Sequence, residues 1–320
     1  MQEVAFLRQN ADKWKQFEKL LHERSADPDR LAELFVEITD DLSYARTFYP
    51  ESKTTRYLNG LAAEVHQAIY KNKREDRSRF LTFWTVEVPE AMAASRREML
   101  LSLALFALSV GIGVISALND DGFVRLILGD GYVNMTLENI EQGDPMAVYK
   151  QANEVDMFLG ITFNNVRVSF FAFVMGLLGS FGTAYILFRN GVMLGAFHAL
   201  FYQQDYLWSS LLVVYIHGAL EISAIIIAGG AGLVMGNSIL FPGTYSRRQS
   251  FMRGARRGVK IVVGLVPVFI AAGFLEGFVT RYTGMPLPLS LLIIAGSLGF
   301  IFWYFVVYPL RLHRSPIYAP

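Results

Sequence analysis

Residues 215–233 read YIHGALEISAIIIAGGAGL. The run is apolar or glycine almost throughout, yet it holds His217 and Glu221 four residues apart. About 20 consecutive apolar residues is the length a bilayer-crossing helix needs. Ionisable groups inside such a run cost roughly 2.5–3.5 kcal/mol each on insertion scales, and they mark a functional site by default. The stretch therefore gives the class, an all-α membrane protein, and points to a site within it.

Working outward, further apolar runs cover residues 99–118, 168–188, 261–278 and 287–307. The segment RNGVMLGAFHALFYQQDY (189–206) is at the lower limit of about 17 residues for a span. Charge decides how to count it. SRRQSFMRGARRGVK (246–260) carries six basic residues and no acid, and the tail has Arg311 and Arg314. Residues 119–156 carry eight acids against only Arg125 and Lys150. Lys and Arg are retained on the cytoplasmic side. Both termini inside requires an even number of crossings. The expectation is six transmembrane helices with a short third helix at 191–203; a re-entrant hairpin is the alternative. His217 and Glu221 then fall in the outer half to middle of the bilayer.

Bulk composition agrees. The 320 residues are 53% hydrophobic with net charge +1, which argues against a nucleic-acid partner. There is no cysteine, so disulfides and thiolate-bound metals are excluded. The opening MQEVAFLRQNADKWKQFEKLL lacks the basic-then-apolar order of a signal peptide. Residues 1–97 are read as a cytoplasmic helical arm. Phe6, Trp14 and Phe17 share one helix face, Leu34 and Ile38 another, with Ser25 or Asp27 as cap. Its end, FLTFWTVEVPEAMAASRRE (80–98), reads either as an interfacial segment or as part of a helical core. The expected domains are this arm, a transmembrane domain at 98–310 with an extracytoplasmic segment at 118–160, and a cytoplasmic tail at 311–320.

Glycines crowd the spans: Gly176, Gly179 and Gly182, then Gly191 and Gly195, then Gly229, Gly230, Gly232 and Gly236. Small residues let helix backbones approach closely in lipid, and the pattern leaves room for a homo-oligomer. GLLGSFG (176–182) is read as uninterrupted helix, which denies Ser180 the turn a nucleophile needs. Gly218 is read as opening room for a neighbouring helix.

His217 and Glu221 share a helix face. Asn164, Asn165 and Glu276 fall at similar depth on two other spans, and His198 is a further candidate at mid-depth. The expected arrangement is a polar pocket open to the outside. It can lock the bundle through hydrogen bonds, handle protons or lipid headgroups, or hold zinc. His217, Glu221 and Glu276 are an acceptable zinc set, but the spacing is not HExxH, so no cofactor is expected and zinc stands as the alternative.

The segments NNVRVSFFAFVMGLLGSFGTAYILFRNGVMLGAF, HGALEISAIIIAGGAGL and GFLEGFVT together resemble the stage II sporulation protein M (SpoIIM) family over roughly residues 99–310. Asn164, Asn165, Asn190, Gly191, His217, Gly218, Glu221 and Glu276 fall on its motif positions. The resemblance implies a multi-pass protein of the bacterial inner membrane. The family's name-giving member works with peptidoglycan-degrading partners during engulfment. The long arm resembles a branch in non-sporulating bacteria, found beside MoxR-type ATPases, von Willebrand-type proteins and RDD-type membrane proteins. These imply a scaffold or assembly role in envelope remodelling. The alternatives are a transporter or lipid-handling protein and an intramembrane metallohydrolase.

Overall fold

The computed structural model describes residues 2–22, 28–71, 78–150 and 153–314. Ser25, Asp27 and the tail beyond residue 314 lie outside them. Among the described residues there are helices and no strand. The chain divides into two compact units, residues 1–79 and 80–320.

The first unit is three helices: Glu3–His22, Pro28–Phe48 and Lys53–Lys71. Each is amphipathic, and their apolar stripes close on Trp14, Phe17, Leu34, Ile38, Leu42 and Leu58. Trp14 is buried with its indole N–H satisfied by Asp41 Oδ2 at 2.8 Å. Lys13 meets the same carboxylate at 2.7 Å. This is the core of a water-solvated bundle: large side chains inside, charges outside.

The second unit holds six helices long and apolar enough to cross a membrane: 96–119, 154–178, 181–203, 207–240, 247–279 and 287–312. The count agrees with the sequence, but one boundary moves. The stretch read as one helix through GLLGSFG breaks at Gly179 (φ +63°) and Ser180 (φ +70°), both left-handed. The second span therefore starts at Glu154, before the asparagines. The third is a full 23 residues rather than a short helix. Gly179 suits that backbone because it has no Cβ; Ser180 adopts it while its hydroxyl contacts Asn237 Oδ1 at 3.2 Å. The turn that a nucleophile needs thus exists, but its partner is an amide, which is no base.

The fourth span is the most enclosed, with the first, second, third, fifth and sixth spans packed around it. Glycine makes this approach possible. A Cβ on Gly176 of the second span would run into the Gly232 carbonyl of the fourth, and one on Gly195 into the Val110 carbonyl of the first. Close backbone packing, where lipid offers no hydrophobic drive, is what small residues permit. Gly218 differs from the expectation. A Cβ there would make ordinary contacts of 3.5 and 3.6 Å with Ile222 and Val214 of its own helix, so no neighbour requires glycine.

The break between units falls earlier than residue 97. Residues 80–94 belong to the membrane unit: Val88 is buried with Ile261 and Leu265. Tyr304 and Tyr308 donate to the Trp84 and Thr85 carbonyls at 2.5 and 2.8 Å. Glu87 pairs with Lys260 at 2.7 Å. The segment is thus bound to the polar start of the fifth span.

Candidate functional site

The site is built where the second, fourth and fifth spans meet, toward the acid-rich end of the bundle. His217 lies ten residues along the fourth span from Leu207, about 15 Å at 1.5 Å per residue. Glu221 is one turn further on the same face. The fifth span changes from α to a π-helical turn at Leu275–Val279, where the Thr280 N–H reaches back to the Leu275 carbonyl at 2.8 Å. A π turn inserts one residue and re-aims the side chains beyond it, and such turns gather at functional sites. Here it places Glu276 and Thr280 together against His217.

His217 Nδ1 is 3.0 Å from Thr280 Oγ1, and Thr280 Oγ1 is 3.1 Å from the Leu275 carbonyl. A hydroxyl has one proton, and the carbonyl can only accept it. When Thr280 donates to Leu275 it accepts from His217 Nδ1–H, and a neutral imidazole then keeps its lone pair on Nε2. Nε2 faces Glu276 Oε2 at 3.7 Å, with His217 6% and Glu276 14% exposed. One ligand atom each from His217, Glu221 and Glu276 lie within 4.8 Å of one another, so among the described residues these three are placed to hold a metal ion. Asn165 of the second span is buried against Glu221.

The expected open pocket is covered. Tyr149, from a short turn at Ala147–Lys150, sets its ring 5.7 Å from the His217 ring. Met146 anchors the same segment against Phe201 and Val213. Burial, followed by the charges of Glu276, Tyr132 and Glu221, raises the Tyr149 phenol well above its ordinary value. It stays a neutral donor poised over the carboxylates. Nearby basic groups are engaged elsewhere: Lys150 with Asp144 at 2.6 Å and Arg281 with Glu154 at 3.5 Å.

The structure thus brings together Asn165, His217, Glu221 and Glu276 from three spans. Asn164, next on the helix, turns about 100° away and is exposed. His198 is also apart. Its Nε2 lies 3.3 Å from Tyr215 Oη with the rings stacked, and Tyr215 is about 200° around the fourth span from His217. Asn190 donates to its own helix at Ile186, and Gly191 seats the third span on Ser109 and Phe106 of the first. Tyr149 and Thr280 complete the site. Thr280 stands in the GFLEGFVT segment but four residues from Glu276, a spacing whose meaning depends on the π turn. Tyr149 is far away in sequence.

Six packed apolar helices with a polar cluster among them define a multi-pass membrane protein. Residues 102–281, more than half the chain, match the family model for stage II sporulation protein M, and the protein belongs to that family. Residues 4–71 match a second model, described only as a domain of unknown function. No curated protein and no solved structure matches.

Proposed function

We propose that this protein is a scaffold or assembly component of cell-envelope remodelling. The membrane unit anchors it in the bacterial inner membrane, and the N-terminal bundle recruits partners on the cytoplasmic side. MoxR-type ATPases, von Willebrand-type and RDD-type proteins are the partner classes. The observation that carries this reading is the division of labour in the chain: residues 1–79 form a compact unit with their own apolar core. Charge supports the orientation, because the start of the fifth span is rich in arginine while residues 119–156 are acidic. Affinity capture from native membranes, with full-length chain against one lacking residues 1–79, tests it. The expected outcome is loss of cytoplasmic partners and retention of membrane insertion. An unchanged partner set sinks the reading.

A second reading, lipid handling, is favoured by one observation. A cavity of about 300 Å³ runs between the first, fourth and sixth spans, walled by Leu100, Leu103, Ile227 and Phe305, with Arg96 at one end. An acyl chain suits its walls and a phosphate suits the guanidinium. Phospholipid retained through purification, and reduced in Arg96→Gln, is the expected outcome; equal retention in both rejects it.

A further inference from the structure

We infer that His217, Glu221 and Glu276 form a binding site for one divalent transition-metal cation of the zinc type. The inference is independent of the scaffold reading and holds whether or not the arm binds a partner. It starts from an imbalance of lone pairs. Thr280 accepts the Nδ1 proton of His217, which turns the bare Nε2 toward Glu276 at 3.7 Å. An imidazole lone pair and a carboxylate oxygen repel unless a proton or a metal cation sits between them. Glu221 adds a second carboxylate to the same point, within 4.8 Å of the other ligand atoms.

Charge balance points the same way. Two carboxylates in a low-dielectric bundle must either take up protons or be compensated by a cation. The basic side chains Arg125, Lys150 and Arg281 of this end pair with Asp130, Asp144 and Glu154. A divalent cation would neutralise both carboxylates at one point.

A further observation is independent of the ligand atoms. Asn165 is 5% exposed and its side chain is directed at Glu221, yet its Nδ2 has no acceptor within hydrogen-bond distance among the described residues. A buried donor left short of an acceptor carries a desolvation cost. A water on the cation would give Nδ2 an acceptor.

The donor set narrows the metal. One imidazole nitrogen and two carboxylate oxygens suit zinc and its first-row neighbours better than magnesium or calcium, which prefer all-oxygen shells. Tetrahedral bonds of about 2.0–2.1 Å put ligand atoms roughly 3.3 Å apart. The 3.7 Å separation of Nε2 and Oε2 is near that value, and a Glu221 oxygen lies within 4.8 Å of both. The Nδ1–Thr280–Leu275 chain is the outer-shell support that orients a metal-binding histidine.

The test uses the full-length chain in detergent or nanodiscs. After loading with Zn²⁺ and desalting, elemental analysis is expected to find about one zinc per chain, with the melting temperature raised by loading and lowered by a chelator. Co²⁺ in place of Zn²⁺ is expected to give the visible absorption of a tetrahedral site. Glu276→Gln and Glu221→Gln keep shape while removing a charged ligand. Each is expected to cut zinc occupancy at least tenfold with its gel-filtration profile retained. The proposal is overturned if wild-type chain holds no zinc after loading and shows no cobalt spectrum, which would leave a shared proton between the carboxylates. It is equally overturned if both glutamine variants bind zinc like wild type. If one variant fails to fold, the other and the wild-type cobalt spectrum decide.

Discussion

The N-terminal bundle and the fourth span both bury a helix, and they do so by opposite means. In the bundle the buried positions are large: Trp14, Phe17, Leu34 and Ile38. In the fourth span half of them are small, among them Ala224, Ala228, Gly229, Ala231 and Gly232, set between larger ones such as Ile216 and Leu233. Water favours the first arrangement, because each large apolar side chain withdrawn from it stabilises by roughly 1.5–3 kcal/mol. Lipid gives no such drive, so close backbone contact and hydrogen bonds take over. One chain thus displays two solvents in its choice of core residues.

Four substitutions test that contrast, in descending order of effect. Trp14→Ala removes the largest bundle side chain and leaves Asp41 with Lys13 alone; a loss of about 3–5 kcal/mol is expected. Near-ultraviolet circular dichroism and proteolysis of residues 1–79 should report it, with the membrane unit still monodisperse. If that unit collapses as well, the two cores are not separate. Gly176→Ala should do the reverse. Its Cβ meets the Gly232 carbonyl, and overpacking costs typically 1–3 kcal/mol. Thermal aggregation in detergent should begin lower while the bundle stays intact. An unaffected melt would mean that the second and fourth spans part easily.

Thr280→Val keeps side-chain shape but leaves His217 Nδ1–H buried without an acceptor. A cost of about 1–3 kcal/mol is expected, with looser zinc binding because the imidazole is no longer held. Wild-type melting and zinc affinity would remove Thr280 from the site. Smallest is Lys13→Ala. Its pair with Asp41 is near the surface, so the expected change is at most about 1 kcal/mol, shrinking with salt. A larger loss would show that the bundle depends on charge more than on Trp14.

Much of the architecture is legible in the sequence because the bilayer allows so few solutions. Six crossings follow from apolar length and from the arginines at 247–257. His217 and Glu221 announce themselves as charges in an apolar run. Polar letters, however, are poor markers of where a span begins. By letters alone Asn165 precedes the second span, yet it lies inside, because a polar side chain is tolerated where it faces polar partners. The real break, at Gly179–Ser180, sits among apolar letters and is a two-residue turn with no charged marker. His198 looks equivalent to His217 in depth, but depth along a helix says nothing of the direction it faces. Tyr149 and Thr280 escape a sequence reading for another reason. One reaches the site across the fold from a loop, and the other is aimed by a π turn that has no sequence signature.

The Gly179–Ser180 turn also constrains how the protein is made. With two residues between them, the second and third spans cannot be threaded into the bilayer one at a time with a pause between. They are expected to insert as a paired hairpin, carrying Arg167 and Arg189 in together. The link between the fourth and fifth spans, from Phe241 to Ser246, is long and exposed by comparison. An epitope spliced there should be displayed without harm, while the same epitope at 179–180 should stall biogenesis before any folded protein appears.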